Sequence, residues 1–317
     1  MNVSASALAL LGCSVLGGSI VLAQETPAPT FKAGVDLVTV SVTVNHRDGR
    51  PATDLGRADF ELFDAGRPRI IADFKSEPAP ISVAVLVDAS GSMRGAPKLT
   101  QARTAIAQLT SWLDRGSDLV ALFSFDTELH ELQPFTTATA GVADRIDGIR
   151  PFGSTALYDA IAQTGERVAG QGGPRRAVVV VTDGSDNHSR LSARAVSNIA
   201  SSIDVPVYVI VVASSLDDPR SDAAPDRNSL DMRTGPLADL AQWTGGSLSV
   251  VNTPADANAT ARRIVAELRH QYLMTFEASA PEGWHPLVVR ARDSHLVVRA
   301  RSGYIAGSGA ALRPEVE

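Results

Sequence analysis

The chain has 317 residues, 44% of them hydrophobic and 20% charged, and a formal net charge of −6. That length exceeds one ordinary domain and the apolar content supplies a sizeable core, so a large domain with a smaller companion is expected. The acidic balance, with no long basic run, excludes a surface for phosphate backbones, and nucleic acid is not expected as a partner.

Residues 4–22 form an uncharged apolar run that ends at Ala23-Gln24-Glu25. The run reads as a secretory signal peptide over residues 1–23, with the small Ala23 before a cleavage near Ala23-Gln24. The mature protein is then exported, whether periplasmic, cell-surface or secreted, and residues 24–34 form a flexible N-terminus. Two alternatives stay open. An uncleaved run of this length can just span a bilayer, and Leu10-Leu11-Gly12-Cys13 resembles the lipobox of bacterial lipoproteins. Membrane contact is expected only through this segment. Cys13 is the sole cysteine, so a form cut after Ala23 has no disulfide and must rest on its core.

Past the leader, Val38, Val40, Val42 and Val44 alternate with Thr39, Ser41 and Thr43, the period of a half-exposed antiparallel strand. Asp48-Gly49 marks a turn, and Phe60–Phe63 and Ile70–Phe74 read as further short strands. From Ile81 to about Glu267 short apolar runs alternate with helical periodicity, which predicts a parallel sheet covered by helices. The runs Ile81–Val87, Asp118–Phe125, Ala177–Val181 and Val205–Ala213 have few polar breaks, as strands buried on both faces require. Between them lie apolar helical stripes: Leu99, Ala102, Ile106, Leu109 and Leu113 behind Pro97; Leu157, Ile161 and Val168; and Val196, Ile199 and Ile203 behind a Ser192 cap. The acidic stretch Ser214–Asp231 lacks periodicity and reads as a mobile, solvated insertion, with a specificity loop as the alternative. Helices at Pro236–Trp243 and Ala255–Arg269 flank a strand at Ser247–Val251, and Tyr272–Ala278, Pro286–Ala291 and His295–Ala300 return to the strand pattern.

Neither β-rich flank has enough strands to stand alone, yet together they make a small sandwich. The expected architecture is a doubly wound, Rossmann-like α/β domain with a mainly parallel sheet at residues 80–268, inserted in a β-sandwich built from residues 35–77 and 270–306. Pro78-Ala79-Pro80 and the segment near His270 form the crossings, and 307–317 is a flexible tail.

Asp88-Ala89-Ser90-Gly91-Ser92 follows directly on an apolar strand, at the carboxyl end where open α/β sheets place their ligands. A carboxylate and two hydroxyls at alternate positions of a glycine-containing turn can aim oxygens at one centre, and a hard cation such as Mg²⁺ wants an octahedron of oxygens. Gly153-Ser154-Thr155 precedes a helix, and Thr182-Asp183-Gly184 ends another strand. These three segments, in this order, resemble the metal-ion-dependent adhesion site of von Willebrand factor type A domains, over roughly residues 80–265.

The resemblance implies that Ser90 and Ser92 are direct hydroxyl ligands and that Thr155 is a hydroxyl ligand, direct or water-linked. Asp88 and Asp183 would be the two carboxylates, commonly acting through water. The implied cofactor is a divalent cation, Mg²⁺ foremost with Mn²⁺ or Ca²⁺ as alternatives, and the implied partner is a protein presenting an Asp or Glu carboxylate. In the family the last helix of the domain, here Ala255–Arg269, can move on binding. The flanks, through Val40–Val44, Asp59–Phe63 and Arg299–Tyr304, are similar to bacterial exported proteins with a type A domain between β-rich ends.

An enzyme is not expected. A phosphatase of the haloacid-dehalogenase type needs a second Asp two residues after its nucleophile, and that place holds Ser90; no general acid or phosphate-gripping lysine is evident. His188 reads as a solvated loop residue, Asp186 as either a neighbour of Asp183 or a surface position, and His46, His130, His270, His285 and His295 show no metal-ligand spacing. A structural envelope component that binds mainly through the sandwich is the alternative function.

Overall fold

The computed structural model describes residues 37–94, 96–173, 175–212, 234–278 and 282–307. Contacts divide the chain into Met1–Gly34 and Val35–Glu317, and all described residues lie in the second unit. The expected signal segment, the flexible N-terminus, the acidic stretch Ser214–Asp231 and residues 308–317 lie outside the described residues.

In chain order the elements are β1 (Leu37–Asn45), β2 (Phe60–Asp64), β3 (Arg67–Arg69), β4 (Asp73–Lys75), β5 (Ser82–Asp88), α1 (Ala96–Ser111), β6 (Leu119–Phe125), β7 (Leu129–Thr136) and α2 (Leu157–Ala169). They continue with β8 (Arg176–Thr182), α3 (Ala193–Ser202), β9 (Val207–Val212), α4 (Pro236–Trp243), β10 (Leu248–Val251) and α5 (Pro254–Arg269). The last four are β11 (Tyr272–Glu277), β12 (Gly283–Ala291), β13 (Val297–Ala300) and β14 (Gly303–Ala306).

Every residue of β5 is buried, because its two faces serve two cores. Val83, Val85 and Val87 pack with Ile106 and Leu109 of α1 and Ile264 and Leu268 of α5. Ala84 and Leu86 pack with Leu157 and Ile161 of α2, Val196 of α3 and Leu240 of α4. Burying each large aliphatic side chain is worth about 1.5–3 kcal/mol, so a doubly covered strand favours an unbroken apolar run over alternation. The helix starts are as local chemistry dictates. Ser192 accepts from the N–H of Ala195, Thr253 and Asp256 form a reciprocal capping box, and Pro236 and Pro254 sit in first turns.

The six-stranded sheet runs β10-β9-β8-β5-β6-β7. Its strands are parallel except β7, which returns antiparallel along β6 and carries irregular register near Leu122. The chain steps from β5 to β6 on one side and then to β8 on the other, so the order reverses at β5 and leaves a crevice at the carboxyl ends.

The flanks build two further sheets, β13-β1-β11-β4 and β14-β12-β2-β3, each mixing strands from before and after the α/β segment. Their shared core holds Val40, Val42, Leu62, Met274, Phe276 and Leu287. An aromatic cluster of Phe60, Phe74 and Tyr272, with centroids 5.2–5.8 Å apart, closes one part of it.

The expectation for β1 needs correction. Its polar face meets water only at Thr39: Ser41 and Thr43 are 7% and 4% exposed, because that part of the face lies against the α/β domain. Asp204, at the turn before β9, accepts from the backbone and hydroxyl of Ser41. Asn45 and Arg299 both donate to the buried carboxylate of Glu267 on α5. Arg301 donates to the carbonyls of Thr39 and Ser201, bridging sandwich and helix α3.

The two crossings lie side by side at the amino end of the parallel strands. Buried Arg175, just before β8, donates to the carbonyls of Glu77 on the inward crossing and of Arg269 and Gln271 on the outward one. Asp118 accepts from the N–H groups of Ile81 and Asp114 and from the guanidinium of Arg269.

Candidate metal centre

The first loop is organised by Asp88, the last residue of β5, which is fully buried. One carboxylate oxygen accepts from the Ser90 N–H at 2.9 Å and the other from the Thr182 hydroxyl, at the end of neighbouring β8, at 2.6 Å. Asp88 therefore ties the ends of the two central strands together. The turn it folds brings the Ser90 and Ser92 hydroxyls to 3.0 Å from each other, with Ser90 buried and Ser92 exposed. Buried Met93 anchors the short helical turn Gly91–Met93 from below.

The second loop is stitched to the first by backbone. The Phe152 N–H donates to the Ala89 carbonyl and the Gly91 N–H to the Gly153 carbonyl, both at 3.0 Å. A Cβ on Gly91 would stand 3.0 Å from that carbonyl oxygen, and Gly153 has φ +78°, so glycine at both places permits the approach. The Ala156 N–H donates to the Asp126 carbonyl beyond β6, which sets Thr155, 1% exposed, beside the strand ends.

The third loop braces the second. The side chain of Asn187 accepts from the Thr155 N–H, and the backbone N–H groups of Asn187 and His188 donate to the Thr155 carbonyl. Asp186 accepts from the Leu157 N–H in the first turn of α2 and from the Ser189 hydroxyl. The Asp159 carboxylate accepts from the N–H groups of Arg190 and Leu191. Asp186 thus caps α2, the physical role that its sequence setting left undecided, and His188 lies exposed with its backbone in use.

Lys98, in the first turn of α1, was not among the expected site residues. Its ammonium lies 3.1 Å from Asp183 and 3.1 Å from the Ser92 carbonyl, joining the third loop to the first. A lone lysine at a helix start ordinarily reads as a solvated residue, and only its spacing six residues after Ser92 hints at the contact. Burial pushes the Asp88 carboxyl above the usual carboxylate range; the hydrogen bonds from Thr182 and Ser90 oppose this, and the nearby charge of Asp183 adds to it.

All five expected residues therefore stand at strand ends or on loops at the carboxyl end of the sheet. Asp88, Ser90 and Ser92 share one turn, Asp183 is joined to it through Lys98 and the Asp88–Thr182 bond, and Thr155 through the backbone of the second loop. The set is rich in hydroxyls and poor in charge. Among the described residues no group of three or more His, Cys, Asp or Glu is placed to hold a metal, so a cation here would depend on the serine and threonine oxygens.

Fold and loops together define a doubly wound α/β domain with an oxygen-lined crevice at its switch point, set in a β-sandwich. Residues 83–185, which contain all five expected residues, match the family model for the von Willebrand factor type A domain, and the chain carries a domain of that family. Among solved structures, an aerotolerance-related membrane protein from Bacteroides fragilis NCTC 9343 aligns at 23% identity over 59% of this chain and 98% of its own, with a TM-score of 0.48. BatB from Bacteroides thetaiotaomicron aligns at 21% identity over 58% and 97%, with a TM-score of 0.45. A von Willebrand factor type A protein from Catenulispora acidiphila aligns at 13% identity over 87% of this chain and 74% of its own, with a TM-score of 0.46. No curated protein matches the chain.

Proposed function

We propose that this chain is an exported, non-catalytic protein-binding module that grips an acidic residue of its partner through a divalent cation. Asp88, Ser90, Ser92, Thr155 and Asp183 would hold the cation, with Mg²⁺ the preferred ion. The observation that carries this reading is the Ser90–Ser92 hydroxyl pair, 3.0 Å apart on the turn that Asp88 folds and that Lys98 links to Asp183. Neighbouring oxygens of an octahedron with metal–oxygen distances of about 2.1 Å lie about 3 Å apart, so the pair fits adjacent Mg²⁺ positions without rearrangement. The raised Asp88 carboxyl adds to this, since a buried negative charge gains from a nearby cation.

When bound, the ion supplies a positive centre that neutral hydroxyls quench poorly, which leaves it attractive to an outside carboxylate. Asp88 and Asp183 hold the hydroxyl loops in position, and buried Thr155 fixes the second loop. Ser90 occupies the place where a phosphatase would need its second carboxylate, which favours a grip over turnover. Export rests on the apolar run at residues 4–22.

Thermal melting in Mg²⁺ and in EDTA tests the metal. The wild type is expected to melt higher in Mg²⁺ and Asp183→Ala to lose that difference, whereas a wild type indifferent to EDTA overturns the reading. Affinity capture with both proteins tests the grip. Equal recovery of a partner by wild type and Asp183→Ala would move the interface to the sandwich.

A further inference from the structure

The rim of the three-loop face carries a pair of side chains that cation binding leaves unused. Phe152 is 70% exposed, yet its backbone is fixed: its own N–H and the carbonyl of Gly153 are both bonded to the first loop, on either side of Ser90. Scattered exposed apolar residues need no explanation, but an aromatic ring pinned next to the candidate ligands does. The guanidinium of exposed Arg94 lies 5.7 Å from the centre of that ring, and its Nε donates to the Pro151 carbonyl at 3.3 Å. The ring and the carbonyl hold the cation in one orientation without neutralising it; among the described residues no carboxylate pairs with Arg94.

Five aspartates of the same face are engaged within the chain. Asp88, Asp126, Asp159 and Asp186 each accept from backbone N–H groups, and Asp183 is paired with Lys98. Those bonds hold the carboxylates in place, so the group beside Phe152 that is aimed at a partner's acid is the Arg94 guanidinium, seated on an aromatic surface, the composition that concentrates binding energy at interfaces.

We propose that Phe152 and Arg94 form a specificity ridge for an extended, acidic protein segment. In that segment the carboxylate taken at the cation is flanked by an apolar side chain that covers the Phe152 ring, and a second carboxylate meets the fork of Arg94. This rests on the metal-dependent reading above and adds the class of sequence the face selects. A planar guanidinium already oriented by the ring loses little freedom on pairing with a carboxylate, and covering the ring removes apolar surface from water.

The test is an array of immobilised heptapeptides with a central Asp and varied neighbours, probed with the full chain in Mg²⁺ and in EDTA. Binding in Mg²⁺ is expected to favour an apolar residue next to the Asp and a second acid nearby. Phe152→Ala is expected to weaken these peptides about fivefold while leaving glycine-flanked ones unchanged, and Phe152→Leu to retain part of the preference. Arg94→Gln is expected to erase the preference for the second acid. Both positions are exposed, so each variant should melt with the wild type. Mg²⁺-dependent binding without flank preference, or a profile unchanged in Phe152→Ala, overturns the ridge and leaves the metal grip standing. An array blank in Mg²⁺ overturns both.

Discussion

The two ends of the parallel sheet carry polar clusters of different make-up, put to opposite use. At the amino end, Arg175, Arg269, Arg299 and Arg301 meet carbonyls and the carboxylates of Asp118 and Glu267, and each charge is met within the chain. At the carboxyl end, Asp88 and Asp183 are tied only in part, and the Ser90 and Ser92 hydroxyls are bonded to each other. Charges paired inside the chain fix how two bodies pack, whereas carboxylates and hydroxyls with acceptor capacity to spare are equipped to take a ligand. Residue type separates the two clusters: guanidinium against carboxylate at one end, hydroxyl beside carboxylate at the other.

Arg299→Ala should give the largest effect, because it strands the buried Glu267 carboxylate without its cation. A loss of about 3–5 kcal/mol in urea unfolding is expected, with the Mg²⁺-dependent rise in melting temperature retained. If the Mg²⁺ response disappears as well, the two ends are coupled and the contrast fails. At the other end Asp88→Asn should abolish the Mg²⁺ response, about 2.7 kcal/mol at a hundredfold excess of ion over Kd. Its stability in EDTA should equal or exceed that of wild type, since the substitution removes a charge that burial disfavours. A loss of several kcal/mol in EDTA would make Asp88 a structural residue instead. The smallest effect is expected for Lys98→Met, about 1 kcal/mol in EDTA from the lost pair with Asp183, together with tighter Mg²⁺ binding by calorimetry. Weaker Mg²⁺ binding would show that the ammonium supports the ion rather than competing with it.

What was legible in the sequence followed from how many sides of an element are covered. The parallel strands announce themselves because both faces are buried, and the run 82–88 has no polar residue beyond its opening serine until Asp88. β7 escapes such a reading: Leu129–Thr136 carries His130, Glu131 and Pro134 and forms the edge of the sheet, where charge and proline are tolerated. β14, Gly303–Ala306, was not among the expected strands. In β1 the alternation reported two distinct faces, but nothing in a two-residue period says whether the polar face meets water or another domain, and only the partners Asp204 and Glu267, far away in sequence, decide it. The candidate centre was readable because its donors are clustered in three short segments. The contact of Lys98 and the capping role of Asp186 were not, since each depends on how loops distant in sequence meet.

The placement of both crossings at the amino end of the sheet has a mechanical consequence. The seven residues of β5 span about 20 Å from the crossing to the candidate centre, so a partner gripped there is held at a stand-off from the sandwich. Tension between partner and sandwich would run along the strand axes. It would load the hydrogen bonds of β5 to β6 and β8 in shear, where they yield together rather than one after another, and it would reach the sandwich through the carbonyls gathered by Arg175.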